Sequence, residues 1–367
     1  MKKIMAIALF ALFALSVKSF AAPLTNEEGK QSKSFTVTKG GTLEMSVSGG
    51  DIRLNTWDKD EVAVVVEGID EEDLDDLKMT QSGNTIRIDF RPRWSQYSGD
   101  AVFKVSIPSQ FDADVRTSGG NVELRGTMKG KLTGATSGGD MRAANIDGPT
   151  YLKTSGGDIW LGTVSAEAEV KTSGGDIKVE KVGKSLKAST SGGDVEVGDV
   201  GGDATLSTSG GEVKVGKVTG SASLRTAGGD IELKSASGTV DAKTAGGNIH
   251  LENITGSIEA KTAGGDVSAE LIPSGKGRSE LRSAGGNVVL FLPSTAKATV
   301  DATIRIRGRW RHRKDDYQIR SDFQEESKTE DKDEQEIHAV YKLNGGGDTI
   351  VIETSEGDIE IRKMSGK

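Results

Sequence analysis

Apolar and polar residues alternate with a period of two along most of the chain, and this pattern recurs at nearly fixed intervals. Glycine pairs mark the recurrence and begin at Gly119, Gly138, Gly156, Gly174, Gly192, Gly210, Gly228, Gly246, Gly264 and Gly285. The steps between them are 19, then seven of 18, then 21 residues. Counted from the residue after each pair, apolar or small residues occupy offsets 1, 3, 6, 10 and 12, and Thr or Ser occupies offset 14. Alternation with period two predicts short strands with one inward face, not helices.

One such unit cannot bury its inward side chains alone. Stacking the units pairs each strand with its equivalent in the next unit and builds a continuous core. The sequence therefore predicts an all-β fold, a single-stranded parallel β-solenoid with 18-residue turns of two or three strands each. Val179, Val197 and Val215 should then point into one shared dry interior. A propeller would need units of about 40 to 50 residues.

The recurring Ser/Ala-Gly-Gly-Asp sequence is expected to form a corner between strands. Glycine accepts positive φ, and an Asp or Asn side chain can hydrogen-bond the backbone of its turn. Asp158, Asp176 and Asp194 would line up along this corner, where weak calcium binding by the column is the alternative to turn capping. The threonines from Thr154 to Thr262 are predicted to form a stacked, mutually hydrogen-bonded ladder.

The first residues are typical of an export signal. Met1-Lys2-Lys3 precede an apolar run from Ile4 to Leu15, and small residues at the end suit cleavage after Ala21. An apolar run this short cannot cross roughly 30 Å of hydrocarbon as a helix. We therefore expect residues 1–21 to be a signal peptide and the mature chain, without a membrane span, to reach the periplasm, the cell surface or the exterior.

Three regions are predicted after the signal. Residues 22–115 are expected to be a degenerate N-terminal β region with a capping segment, and residues 116–293 the regular solenoid. Residues 294–367 are expected to form a C-terminal β cap with a mobile charged loop at 305–336, whose basic and acidic halves partly neutralise each other. Terminal units of a repeat array are usually atypical.

The flanking regions also contain recognisable elements. In the N-terminal region, strands are predicted at Val62–Val66, Thr85–Phe90 and Val102–Ile107, and one short helix at Asp70–Lys78 with its acids at the N-terminal end. Isolated copies of the corner occur in the sequences SGGD at 48–51 and SEGD at 355–358. The sequences KVSIPS at 104–109 and VLFLPS at 289–294 are similar, which predicts that a similar element enters and leaves the array.

Charge and composition exclude several classes of partner. Loss of Lys2, Lys3 and Lys18 with the signal would leave 44 of the 47 basic residues against 55 acidic residues, a net charge of −11. Such a balance disfavours nucleic acid and anionic membranes as partners. Cysteine is absent from the sequence, so the fold depends on its core and not on disulfides.

The chemistry-bearing residues do not form a recognisable catalytic or metal motif. Carbohydrate-cleaving β-helix enzymes need carboxylates clustered in a groove built by long loops, whereas the regular turns here have almost no loops. His250, His312 and His338 lack metal-ligand spacing. We therefore predict no enzymatic activity and no cofactor apart from weakly bound calcium.

Trp160 is the exception in an outward column at offset 2 in which Lys and Glu largely alternate. An exposed indole on a rigid polar face could stack on a sugar ring or a partner, whereas the alternative is a lone aromatic that packs over its neighbours' stems. Trp94 and Tyr97, in a loop-like stretch, are further candidates for ligand binding.

The sequence resembles the bacterial "putative adhesin" family of exported β-strand-repeat proteins, a domain of unknown function. The resemblance is carried by the Thr-Ser-Gly-Gly-Asp-Ile corners, by LNGGG at 343–347, and by the closing IETS at 352–355 with GDIEI at 357–361. It implies a right-handed single-stranded β-helix in the cell envelope and carries no catalytic residues across.

These observations favour a non-catalytic exported envelope protein, an adhesin-like binding or scaffold solenoid. Its partner would be an envelope or extracellular polymer or a protein surface. Two alternatives remain at this stage. One is a carbohydrate-active β-helix enzyme, and the other is a periplasmic accessory protein that binds one protein partner.

Overall fold

The computed structural model describes residues 25–27, 30–92, 101–274, 277–306, 317–331 and 336–364. The predicted signal peptide, Trp94, Tyr97 and His312 lie outside the described residues. The strands, in chain order, are β1 (Thr25–Glu27), β2 (Lys30–Thr36), β3 (Gly41–Val47), β4 (Asp51–Trp57), β5 (Glu61–Glu67), β6 (Leu77–Ser82), β7 (Thr85–Phe90), β8 (Val102–Pro108), β9 (Phe111–Thr117), β10 (Val122–Met128), β11 (Leu132–Ala135), β12 (Met141–Ile146), β13 (Thr150–Lys153), β14 (Ile159–Val164), β15 (Ala168–Lys171), β16 (Ile177–Val182), β17 (Leu186–Ser189), β18 (Val195–Val200), β19 (Ala204–Ser207), β20 (Val213–Val218), β21 (Ala222–Arg225), β22 (Ile231–Ala236), β23 (Val240–Lys243), β24 (Ile249–Ile254), β25 (Ile258–Thr262), β26 (Val267–Leu271), β27 (Arg278–Ser283), β28 (Val288–Leu292), β29 (Ala298–Arg305), β30 (Ile319–Ser321), β31 (Ser327–Asp331), β32 (Glu336–Leu343), β33 (Asp348–Thr354) and β34 (Ile359–Lys363).

The strands form two long sheets of 17 strands each, and most neighbouring strands are parallel. From β10 to β28 the even-numbered strands follow one another in sheet A. The odd-numbered strands from β9 to β27 do the same in sheet B. Each unit thus contributes one strand to sheet A and one strand to sheet B, so the coil has two sides.

The predicted inward residues form the core between the two sheets. Ile177 pairs with Ile159 on one side and with Val195 on the other, so equivalent residues of successive units stack directly. Val179, Val197 and Val215 are 1%, 3% and 3% exposed, which confirms their predicted inward direction. An all-β fold of two parallel-dominated sheets, consistent with a β-solenoid, therefore follows from the apolar alternation.

Two local features account for the irregular glycine steps. The 19-residue step contains a β-bulge in β10, where the pairing with β12 shifts between Leu124 and Thr127 and Gly126 adopts a φ of +89°. The 21-residue step contains a longer connection between β26 and β27, which leaves sheet A after Leu271 and enters sheet B at Arg278. Both insertions are absorbed without breaking either sheet.

At both ends the spatial order of the units departs from the chain order. The unit formed by β3 and β4 lies between the pair β7 and β8 and the pair β9 and β10. At the other end, the unit formed by β33 and β34 lies between β27 and β28 on one side and β29 and β30 on the other. The two Pro-Ser sequences stand where the chain crosses over these inserted units, at 108–109 and 293–294.

Antiparallel strands close the two ends. At the N-terminal end, β5 lies between β2 and β8, and β6 pairs with β7; at the C-terminal end, β32 lies between β29 and β31. Lys33 Nζ donates a hydrogen bond to the Met79 carbonyl at 2.9 Å and so joins the edges of sheets A and B. The strands predicted at Val62–Val66, Thr85–Phe90 and Val102–Ile107 are confirmed as β5, β7 and β8.

Two predicted elements differ from the structure. The helix predicted at Asp70–Lys78 is a shorter 3-10 helix, Glu71–Asp76, because Leu77 and Lys78 already pair with β7 as the start of β6. In the segment 305–336, predicted as a mobile loop, Ile319–Ser321 joins sheet A beside β34 and Ser327–Asp331 joins sheet B beside β32. Among the described residues, no helix has the length and apolar character that a membrane span requires.

Candidate functional site

The second glycine of each array corner is required for close packing between units and not for positive φ. In the described part of the chain, the positive-φ glycines include Gly50 of the isolated corner copy but none of the array's glycine pairs. A Cβ on Gly193, the second glycine of its corner, would lie 2.3 Å from the Gly175 carbonyl oxygen of the preceding unit. The predicted role of positive φ in these corners was therefore wrong.

The threonines at offset 14 bind the corner backbone and not one another. The Thr172 hydroxyl donates to the Gly157 carbonyl of the preceding unit at 2.9 Å and accepts from the Gly175 N–H at 3.4 Å. The prediction of mutual bonding between threonines was therefore wrong. Each threonine instead ties two successive corners together, and the column is buried.

The Asp and Asn residues after the glycine pairs form a second ladder between units. The Asp176 N–H donates to Asp158 Oδ1 at 2.8 Å, and the Asp194 N–H donates to Asp176 Oδ1 at 2.8 Å. The same bond joins, in spatial order, Asp51, Asn121, Asp140, Asp158, Asp176, Asp194 and Glu212, and then Asp230, Asn248, Asp266, Asn287, Asp358 and Gln318. Asp51 and Asp358, which belong to the isolated corner copies, therefore join the ladder because their units are inserted at the ends of the array.

The ladder bears on the calcium interpretation of Asp158, Asp176 and Asp194. One oxygen of each carboxylate already accepts a backbone N–H from the next unit. Within the described ranges, no group of three or more His, Asp or Glu side chains could hold a metal ion. His250 and His338 each lie beside a single carboxylate. Calcium binding stays a prediction.

On the outward face of sheet A, Trp160 lies in register between Arg142 and Lys178 and is half-buried. The outward Gly162, two residues along β14, is buried, whereas the equivalent Gly198 is half-buried beside the exposed Glu196. The half-buried indole and the buried Gly162 are thus neighbours on this outward face. The next outward pair is ionic, with Lys178 Nζ 2.9 Å from Glu196 Oε2.

A polar hollow of about 280 Å³ lies beside Trp160 on the same face. It is lined by Asp51, Ile52, Arg53, Asn121, Val122, Glu123, Arg125, Asp140 and Arg142. Each of its three arginines pairs with a carboxylate two residues before it: Arg53 with Asp51 at 3.4 Å, Arg125 with Glu123 at 2.8 Å, and Arg142 with Asp140 at 3.3 Å.

Sheet B carries a similar hollow of about 360 Å³ near the N-terminal end. It is lined by Glu44, Met45, Ser46, Arg87, Asp89, Arg91, Asp114 and Arg116, again with three arginines and three carboxylates that pair with them. No aromatic side chain lines it. The exposed aromatic of sheet B, Tyr151, is 36% exposed and lies with its ring centroid 5.3 Å from Lys131 Nζ.

Farther along sheet B, outward charges form one continuous ladder of ion pairs over successive strands. Its members are Arg225, Asp241, Lys243, Glu259, Lys261, Glu280, Arg282, Glu353, Arg305 and Glu336. Lys243 and Lys261, each 2.9 Å from Glu259, lower the pKa of this carboxyl to about 2 by hydrogen bonding and charge. The ladder runs through the inserted strand β33, so it also joins residues distant in sequence.

Sequence reasoning found Trp160 but missed the polar hollow beside it. Arg53 reaches the hollow because β4 pairs with β10, a contact that the chain order conceals. Arg125 follows two residues after Glu123 on the outward face of β10, just before the bulge. The 19-residue glycine step was the available signal for the bulge, whereas no sequence pattern placed β4 beside β10. Trp94 and Tyr97 lie outside the described residues.

The chain is similar to several solved bacterial proteins. They include a putative adhesin from Parabacteroides merdae (11% identity over 92% of this chain and 97% of that chain, TM-score 0.29) and a putative adhesin from Bacteroides fragilis (10%, 92% and 98%, TM-score 0.26). A third is a putative lipid binding protein from Parabacteroides distasonis (12%, 92% and 98%, TM-score 0.26). No curated protein matches the chain.

The family model Toastrack DUF4097 matches residues 41–215 and 165–322, which together span well over half of the sequence. The resemblance to a "putative adhesin" domain of unknown function, carried by the glycine corners, is confirmed. The chain belongs to the Toastrack DUF4097 family.

Proposed function

We propose that the protein is a non-catalytic binding or scaffold protein of the bacterial envelope, exported with residues 1–21 as its signal and adhesin-like in action. The coil is proposed to be right-handed with 18-residue turns. Its partner is an envelope or extracellular polymer or protein surface, which it contacts through the outward face of sheet A.

The observation that carries this proposal is the rigid outward register of sheet A around Trp160. Neighbouring strands in a sheet lie about 4.8 Å apart, so outward side chains form fixed rows. The indole lies within such a row beside Arg142, and its polar surroundings are held by ion pairs. A half-buried aromatic on a fixed polar surface can bind a partner with little loss of side-chain entropy.

A binding screen tests the proposal. The protein is immobilised and exposed to envelope fractions and to a panel of glycans, with Trp160→Ala as the test variant. Tyr151→Ala, which removes an exposed aromatic from the opposite sheet, is the matched control. We expect Trp160→Ala to weaken binding several-fold and Tyr151→Ala to leave it unchanged. Equal binding by all three proteins would contradict the proposed face.

Two further measurements separate the alternatives. New reducing ends or unsaturated sugars after incubation with cell-wall and plant glycans would indicate a carbohydrate-active enzyme instead. Crosslinking in living cells followed by mass spectrometry would yield one dominant protein if the chain were an accessory to a single partner.

A further inference from the structure

We propose that the polar hollow beside Trp160 binds a neutral sugar unit of a polysaccharide. This inference rests on the proposed binding function and names its ligand class. It assigns the stacking surface to Trp160 and the hydrogen-bonding groups to the arginine and carboxylate pairs of the hollow.

The residues of the site come from four neighbouring strands. In the outward column of sheet A, Arg53 on β4 pairs in register with Glu123 on β10, Glu123 with Arg142 on β12, and Arg142 with Trp160 on β14. Because strands are about 4.8 Å apart, the indole and the hollow adjoin each other. A sugar seated over Arg142 would therefore reach both.

A bulge in β10 lies at the border of the hollow, directly after its lining residue Arg125. A bulge inserts a residue and bends the strand, and bulges are common beside binding sites. Here it leaves Arg125, Gly126 and Thr127 all exposed in one run. The hollow's volume of about 280 Å³ lies just below the roughly 300–1,000 Å³ of small-ligand pockets, so it suits one sugar unit.

The charges of the hollow favour a neutral ligand over an acidic one. Three guanidinium groups face three carboxylates, so their formal charges cancel. The chain as a whole carries a formal charge of −8, which repels a polyanion. Paired guanidinium and carboxylate groups present donors and acceptors side by side in fixed geometry. Neighbouring hydroxyl groups of a neutral sugar, each both donor and acceptor, match this arrangement.

The hollow of sheet B provides a control within the molecule. It has the same three-to-three balance of arginines and carboxylates, and neither hollow is lined by an aromatic side chain. The difference is that Trp160 lies next in register to Arg142 of the hollow of sheet A. If charge pairs alone bound the ligand, both hollows would bind it. The proposal requires the hollow of sheet A to bind it because only there does an indole adjoin the charge pairs.

Isothermal titration of the full chain with size-matched oligosaccharides tests this inference. The probes are cellohexaose, maltohexaose and chitohexaose as neutral sugars and hexagalacturonate as the acidic one. Arg142→Gln and Trp160→Ala are the test variants, and Arg87→Gln, which removes an arginine from the hollow of sheet B, is the control. Circular dichroism checks that all variants keep the fold of the unsubstituted chain.

We expect at least one neutral oligosaccharide to bind, with about tenfold weaker binding by either test variant and unchanged binding by the control. Tighter binding of hexagalacturonate, equal effects of Arg142→Gln and Arg87→Gln, or no binding of any neutral probe would overturn the inference. Retained binding of envelope fractions in those cases would leave the proposed function standing. If the chain bound neither the neutral oligosaccharides nor the envelope fractions, the proposed function would be contradicted as well.

Discussion

The regular array and the N-terminal end build the same two-sheet cross-section by different means. In the array, each strand pairs with the unit next in sequence, and the buried hydrophobic side chains are aliphatic or methionine. At the N-terminal end, an inserted unit pairs with strands distant in sequence. There the four largest fully buried side chains are phenylalanines, namely Phe35, Phe90, Phe103 and Phe111.

The difference teaches what determines the packing in each region. Repetition of the backbone in the array gives every unit the same interior width, so large and small inward side chains balance within a unit, as Leu186 with Ala188 and Ala204 with Leu206. At the end, antiparallel strands close the coil and the interior changes shape. Aromatic rings then fill the space, as with Phe90 and Phe103, whose centroids are 5.8 Å apart.

The largest expected effect comes from removing one of the buried phenylalanines at the N-terminal end of the coil. Phe103→Ala should lower the free energy of unfolding by about 3–5 kcal/mol, because a fully buried ring leaves a cavity. Hydrogen exchange should then rise in β4 and β5, which flank β8 in space.

Leu206→Ala in the array is the comparison for Phe103→Ala. Its exchange effect should stay within β17, β19 and β21, the paired strands of successive units. A similar spread of exchange through both regions would contradict the contrast between them.

The second prediction concerns the close approach of one unit's backbone to that of the preceding unit in the array. Gly193→Ala should lower the free energy of unfolding by about 1–3 kcal/mol, because its Cβ would overlap the Gly175 carbonyl. Gly119→Ala is the matched control, since a Cβ there meets nothing within 4 Å. Chemical denaturation measures both variants. An equal decrease in the free energy of unfolding for both variants would mean that the corner glycines are needed for their backbone conformation and not for the close approach of neighbouring units.

How far the sequence could predict the molecule follows from the same contrast. Inward residues such as Val197 were predictable because the alternation of apolar and polar residues, and its return every 18 residues, can be read directly from the sequence. The insertion of β4 between β8 and β10 was not, because strand pairing leaves no trace when neighbours are far apart in sequence. For that reason Trp160 was found alone, and the hollow that Arg53 helps to line was missed.

A third prediction concerns the one gap in the corner ladder. Glu212 accepts no backbone N–H from Asp230 among the described contacts, and its carboxylate pairs with Lys214 instead. Glu212→Asp should restore the bond and raise the free energy of unfolding by about 1 kcal/mol. Asp176→Ala should lower it by a similar amount, and Asp176→Asn should change little because the acceptor remains. Destabilisation by Glu212→Asp in urea unfolding, together with no loss in Asp176→Ala, would show that the ladder contributes nothing.

The smallest expected effect tests whether the ion-pair ladder of sheet B steadies the C-terminal part of the array. The pKa of Glu259 is about 2 in the folded chain, below its ordinary value of 4.5, because of Lys243 and Lys261. A depressed carboxyl pKa stabilises the fold fully above the ordinary value, and this contribution is lost as the pH falls from there through the folded pKa. The Tm advantage of the unsubstituted chain over Glu259→Gln should therefore shrink between these two values.

The Tm advantage should be modest, because the Glu259 side chain is 41% exposed and salt screens such pairs. Glu196→Gln on sheet A, which removes a carboxylate bonded to one lysine, is the control and should show a smaller change. A Tm difference for Glu259→Gln that persists unchanged at low pH would mean that the glutamate acts by packing. The two ion pairs of Glu259 would then contribute nothing to the stability of this part of the array.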